Sequence, residues 1–265
     1  MRIVDSHCHV SPVWYEPVES LLHQMERNGV EHAVLIQMQG QANNEYQFEC
    51  VRRYPGRFAP VVWIDVARPD APSTLERLAE QGASGVRFRA TMRSPGDDPL
   101  AIWRAAERLQ LAVSCLEESG DFGSDEFVRL VEALPGLKIV IEHLGAANRP
   151  DQDAAEEAAR GKVFALARYP NLYLKVPGLG EFCRRAIPVT EPFPFERPLP
   201  PLLELAYDNF GPQRLMWGSD YPPVSAREGY RNALQLVMEQ FAGKGEEERR
   251  LIFGETALSV FPMRS

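Results

Sequence analysis

Eight short apolar segments, each followed by a longer amphipathic one, run the length of this 265-residue chain. That alternation limits the folds open to it more than any other feature. The strand candidates are Arg2–Val10, His32–Gln37, Phe58–Asp65, Gly85–Ala90, Leu111–Leu116, Lys138–His143, Leu172–Val176 and Arg214–Asp220. Several are almost unbroken runs of β-branched or aromatic residues, as in Val61-Val62-Trp63-Ile64 and Ile139-Val140-Ile141, which suits parallel strands buried on both faces. The helix candidates between them are Val18–Asn28, Asn43–Tyr54, Pro72–Gln81, Pro99–Leu109, Ser124–Leu134, Asp153–Tyr169, Leu199–Phe210 and Ala226–Phe241. Tyr54-Pro55, Leu134-Pro135 and Tyr169-Pro170 each end a helix just before a strand, because proline cannot supply the next intrahelical donor.

Parallel strands need crossovers, and a helix is the usual one. Eight strand–helix units satisfy a (β/α)8 TIM barrel, whose typical length of about 250 residues is close to this one. An open doubly wound sheet competes, but no strand is followed by GxGxxG or GxxxxGK[ST]. One domain over 1–265 is therefore expected, distorted in two places. The proline-rich stretch 177–201 carries Phe182, Phe193 and Phe195 and is either a lid over a pocket or an excursion that packs on a second copy. After Gly243 an extra C-terminal helix is expected to close with Phe253, Leu258 and Phe261 against the barrel wall.

Composition narrows the function. The net charge is −8 and no Lys/Arg cluster stands out, which argues against a nucleic-acid partner. No apolar run nears the roughly 20 residues that span a bilayer. Met1 to Val10 is strand-like and does not read as a signal peptide. The four cysteines are scattered without a CxxC pair, as expected of reduced thiols in a cytoplasmic protein. A small-molecule substrate is the expected partner.

Histidine is scarce, with five in the chain. Two stand in the first strand, Asp5-Ser6-His7-Cys8-His9, where alternation turns His7 and His9 to one side and Cys8 to the helix layer. If that side is the barrel interior, two imidazoles converge at the C-terminal end of the strand, where barrel enzymes build their sites. Two imidazoles at i and i+2 can share a divalent cation, although so short a motif also arises by chance. Position strengthens it. His143 closes the sixth strand, Asp220 closes the eighth, and Arg87 and Arg89 share a face at the end of the fourth. His23, inside a helix, and His32, at a helix–strand junction, are read as structural.

With the Glu142-His143-Leu144-Gly145 and Gly218-Ser219-Asp220-Tyr221-Pro222 segments, the chain resembles the amidohydrolase superfamily. It is most similar to the amidohydrolase-related branch that holds sugar-lactone and 2-pyrone-4,6-dicarboxylate lactonases and some non-oxidative decarboxylases. PNLYLKVPG at 170–178 and FGPQRLMWGSDYPP at 210–223 resemble that branch's seventh and eighth strands. The resemblance implies metal ligation by His7, His9 and Asp220, with Asp220 handling the proton of an attacking water and His143 acting as base or polarising group. The chain departs from the pattern in lacking a fifth-strand histidine, where Leu111–Glu118 reads LAVSCLEE, and a fourth-strand lysine. The expected cofactor is then one divalent ion, zinc or manganese, with Glu117 or His143 as further support, or none at all.

The activity this implies is hydrolysis of a small lactone, with Asp220 as general base and a metal, or the imidazoles with His143, polarising the carbonyl. Arg87 and Arg89 are candidate substrate contacts, against a structural ion pair with a barrel carboxylate such as Asp65. Lys175 and Gln37, at the ends of the seventh and second strands, are further candidates. The alternative enzyme is a metal-dependent decarboxylase of an aromatic or unsaturated acid. A non-catalytic binding barrel predicts instead that Asp220→Asn and His143→Ala change no activity.

Overall fold

Strands that are apolar on both faces have no solvent side, so the sheet they form is curled on itself and wrapped in helices. The computed structural model describes residues 1–146 and 154–263, the side chains of 154 and 156 aside. Its strands are β1 (Val4–Cys8), β2 (His32–Ile36), β3 (Phe58–Val62), β4 (Gly85–Arg89), β5 (Ala112–Leu116), β6 (Ile139–Ile141), β7 (Leu172–Val176) and β8 (Leu215–Trp217). They pair in chain order as one parallel sheet. The helices are α1 (Val18–Asn28), α2 (Glu45–Arg53), α3 (Ala71–Glu80), α4 (Ala101–Arg108), the single turn α5 (Ser119–Phe122), α6 (Asp125–Ala133), α7 (Ala154–Ala165), α8 (Leu202–Phe210), α9 (Tyr230–Gln240), α10 (Glu246–Arg250) and α11 (Thr256–Val260). This is the (β/α)8 barrel the alternation predicts. Asp153, where the sixth helix candidate was expected to begin, lies outside the described residues.

Two apolar layers hold it. Outward-facing strand residues such as Cys8, Leu35, Val62, Phe88 and Val113 pack under the helices. Inward-facing Val4, Val34, Ile36, Val61, Ala112, Val140 and Met216 fill the barrel floor together with Val260 and Phe261. Phe261 thus enters the barrel interior, where the sequence placed it against the wall. Gly85 makes the room, since a Cβ there would come within 3.0 Å of the Phe261 ring and 2.7 Å of the Ala112 carbonyl oxygen. Phe253 packs in the outer layer as expected.

The barrel closes where β8 returns to β1. Asp220 N donates to His7 O at 2.8 Å and His9 N donates to Tyr221 O at 2.7 Å. Beneath them the buried Asp5 carboxylate accepts from Ser219 N (2.9 Å), Ser219 Oγ (2.6 Å), Tyr230 OH (2.9 Å) and His7 N (3.1 Å). Gly218 permits this approach, because a Cβ on it would lie 2.6 Å from that of His7.

β6 and β8 are shorter than the predicted Lys138–His143 and Arg214–Asp220. The chain leaves extended geometry before their last residues, and His143 (φ 50°) and Asp220 (φ 57°) are left-handed. In the 177–201 stretch Phe182, Cys183 and Phe195 are buried, while Ile187 is 84% exposed. All four cysteines are buried and free. Among the described residues no helix is long and apolar enough to cross a membrane.

Candidate active site

Strand alternation does at β1 what the sequence predicts. His7 and His9 face one side with their Nε2 atoms 3.2 Å apart. Cys8 faces the other, its thiol donating to Val34 O at 3.3 Å. His9 Nδ1 lies 2.7 Å from Ile36 O, a carbonyl that can only accept, so Nδ1 carries the proton and Nε2 is left with a lone pair. The Tyr15 ring, on the loop after β1, stands 5.6 Å from that of His9.

His143 and Asp220 join this pair from across the barrel. The His143 ring lies 4.7 Å from that of His7, and its Nδ1 is 3.0 Å from Glu181 Oε2. Burial disfavours the imidazolium, but the Glu181 carboxylate outweighs it and holds the pKa at about 9, so His143 is a cation at neutral pH. Asp220 Oδ1 sits 3.8 Å from His7 Nε2 and 3.6 Å from His9 Nε2. Its Oδ2 accepts from Arg227 Nη1 at 3.1 Å. Burial opposes that charge too, yet the neighbouring His9 imidazole and the cations of His143 and Arg227 keep the carboxyl below its ordinary range. Arg227 Nη2 also donates to Glu181 Oε1 at 3.2 Å, so one guanidinium spans the partners of both groups. Left-handed backbone at a non-glycine residue costs roughly 1–3 kcal/mol and is kept where the surroundings fix it. His143 and Asp220 both adopt it.

Beneath the histidines lies a buried charged network. Arg87 donates to Glu142 through Nη2 (2.7 Å) and Nε (3.2 Å), and to Gln37 O through Nη1 (3.2 Å). Burial would raise the Glu142 carboxyl, but Arg87 and Lys175 hold it at about 2. Ser114 Oγ donates to Glu142 Oε1 at 2.6 Å and accepts from Lys175 Nζ at 2.8 Å. Lys175 Nζ also lies 2.9 Å from His7 Nδ1, and burial lowers its pKa to about 8. Burial, then the Lys175 charge, push the His7 imidazole well below its usual range, which keeps it neutral.

The remaining sequence candidates are placed as follows. Arg89 pairs through Nη2 and Nε with Glu117, which Thr91 Oγ1 also reaches at 2.7 Å. Asp65 is the partner of neither arginine; Glu142 and Glu117 are. Gln37 turns its amide to Asn43 O and Gln47 Oε1 at 2.8 and 3.0 Å. The lysine ammonium lies under His7 with the residue 2% exposed. Sequence reasoning missed Glu181, Arg227, Ser114 and the role of Glu142. Alternation along β6 was a usable signal for Glu142, two residues beyond the inward-facing Val140.

The donor distances suit a divalent ion. His7, His143 and Asp220 each offer an atom within 4.8 Å of the others, and His9 Nε2 is closer still to His7. The charges around them do not suit one. Ligand histidines normally donate their second N–H to a carbonyl, carboxylate or water, as His9 can to Ile36 O. His143 meets the Glu181 carboxylate in the same way, whereas His7 meets Lys175 Nζ and Asp220 already pairs with Arg227. By distance the cluster is a candidate divalent-ion site, and the Lys175 and Arg227 cations beside His7 and Asp220 disfavour an ion there.

Three known proteins are similar to this chain, two of them in fold. An L-fucono-1,5-lactonase from Burkholderia ambifaria is 29% identical over 254 residues, covering 89% of this chain and 82% of that protein. An amidohydrolase from Burkholderia multivorans, crystallised with zinc bound, superposes with a TM-score of 0.75 at 21% identity over 99% of this chain and 100% of its own. A Pseudomonas putida structure assigned as a 2-pyrone-4,6-dicarboxylic acid hydrolase gives a TM-score of 0.75 at 21% identity, over 98% and 97% of the two chains. The sequence profile described as amidohydrolase matches residues 4–263. A match that begins at β1 and ends beyond α11 takes in every strand that carries these side chains, and the chain belongs to the amidohydrolase family.

Proposed function

We propose that the chain hydrolyses a small lactone, opening the ring ester to a hydroxy acid. The observation that carries this reading is the meeting of an aimed carboxylate, Asp220, a cationic imidazole, His143, and two neutral-capable imidazoles, His7 and His9, at one mouth of the barrel. The similarity to an L-fucono-1,5-lactonase supports it.

In this reading Asp220 Oδ1 takes a proton from water as the water oxygen adds to the lactone carbonyl carbon. His143, held as imidazolium by Glu181, stabilises the oxyanion and gives its proton to the alkoxide as the ring C–O bond breaks. The proton on Asp220 then returns to His143, directly or by exchange through solvent, which resets both groups. Every step runs on this chain's own side chains. Arg89, whose side chain is 35% exposed, contacts the substrate, while Arg87, Lys175 and Gln37 act from beneath by holding strand ends and His7. The arginines Arg87, Arg89 and Arg227 each already face a carboxylate, which favours an uncharged, hydroxyl-rich lactone over an anionic one. The 177–201 stretch serves as a cover for the single domain's mouth and supplies Glu181 to it. Free, buried thiols are in keeping with a cytoplasmic setting.

The test is to incubate the protein with uncharged 1,5-lactones and, separately, with hydroxybenzoate-type acids, and to follow acid release and carbon dioxide independently. Acid release from the lactones is expected. Carbon dioxide from the acids, without lactone opening, would replace this reading with the decarboxylase.

A further inference from the structure

Lys175 is a buried cation placed against the wrong side of a candidate metal ligand. It rises from β7 into the barrel, and its Nζ stands 5.8 Å from the centre of the Phe261 ring, between Ser114 Oγ (2.8 Å) and His7 Nδ1 (2.9 Å). The hydroxyl proton of Ser114 goes to Glu142 Oε1 at 2.6 Å, so Ser114 can only accept from the lysine. An ammonium has three donors and no lone pair. With Lys175 as an ammonium, His7 Nδ1 accepts as well, and the one ring proton of His7 stands on Nε2. That proton points at His9 Nε2, 3.2 Å away, whose lone pair is open because the His9 proton is spent on Ile36 O at 2.7 Å. Lysine, His7, His9 and the Ile36 carbonyl form one directed chain.

A cation between His7, His9 and Asp220 would need the Nε2 lone pair of His7. The ring would then carry its proton on Nδ1, aimed at an ammonium that cannot accept it. We propose that Lys175 fixes the tautomer of His7 and thereby opposes divalent-ion binding at the mouth of the barrel. Lys175 is a positioning residue acting through His7, and this holds whether or not the substrate is a lactone.

The experiment compares zinc affinity, measured by titration with the metal alone, in wild type, Lys175→Met and Lys175→Arg. A partner behind a ligand histidine typically changes metal affinity about 10- to 100-fold, and Lys175→Met is expected to gain affinity in that range. Lys175→Arg, which keeps the cation, stays near wild type. Adding His9→Ala to Lys175→Met reverses the gain, which locates the ion. Histidine 15N spectra of the metal-free wild type, with the His7 signals assigned by their loss in His7→Gln, are expected to show the proton on Nε2. A His7 proton on Nδ1 in wild type overturns the proposal. So does zinc binding by Lys175→Met no tighter than by wild type. If Lys175→Met does not fold, the wild-type tautomer decides alone.

Discussion

Arg227 Nη1 donates to Asp220 Oδ2 across 3.1 Å, while the other carboxylate oxygen is left facing His9 at 3.6 Å and His7 at 3.8 Å. One oxygen is anchored and the other is aimed. A misplacement of about 1 Å can cost about 100-fold in rate, so in the proposed mechanism the anchor orients the base without touching the reacting atoms. Arg227→Gln is expected to lower kcat on a lactone about 10- to 100-fold with KM little changed, and Arg227→Lys to recover part of it. An unchanged kcat in Arg227→Gln would show that the anchor does not orient the base.

Asp220→Asn keeps the shape of the side chain and removes its proton affinity. Loss of a general base typically costs about 100- to 10,000-fold, and a fall of that size in kcat is expected with an unaltered circular dichroism spectrum. Activity near wild type would remove Asp220 from the role of base.

His143 sets the alkaline limb. Its pKa stands at about 9 because Glu181 favours the imidazolium more than burial disfavours it. Activity that needs the cation is present below that value and declines as pH rises through it. Glu181→Gln removes the raising influence and moves the decline to lower pH, while His143→Gln abolishes it. The pH–kcat profiles of the three proteins check this, and a limb in Glu181→Gln that stays put would assign the titration elsewhere.

Arg87 and Glu142 bear on stability. Glu142 has its folded pKa at about 2, below the ordinary 4.5, so its contribution is complete above the unfolded value and is lost as pH falls toward about 2. Arg87→Met leaves that buried carboxylate facing fewer cations. Removing one partner of a buried pair costs about 3–5 kcal/mol, and urea unfolding at neutral pH is expected to report a loss of that order. The acid-unfolding midpoint of the variant should rise. A variant as stable as wild type would mean that Lys175 and Ser114 suffice for Glu142.

The elements legible in the sequence were those whose boundaries have a local cause. α1 ends at Asn28 because Gly29 takes φ 69°, and β7 matches Leu172–Val176 residue for residue. Period-two alternation likewise placed His7 and His9 together and Cys8 behind them. It could not place His143, because alternation sends Glu142 and His143 to opposite faces. Both reach the inner side only because His143 turns left-handed, a backbone choice made by the surroundings and not by histidine. Glu181 and Arg227 were hidden for a different reason. They lie on loops after β7 and β8, where no period links sequence position to direction, and their meeting depends on the closed barrel. Arg87 was legible as inward-facing, but which carboxylate would meet it was not, since Glu142 lies 55 positions away.

Asp5 takes four donors, and two of its partner residues, Ser219 and Tyr230, lie 214 and 225 positions further along the chain. The same seam brings Asp220 to His7. A ribosome therefore delivers the first histidines long before the residues that give them a purpose, and a polypeptide that stops short of the eighth strand has an unstitched carboxylate where its lock should be. Asp220 enters the site through the same residues that close the barrel, so a chain made only as far as the seventh strand carries the imidazoles without their carboxylate.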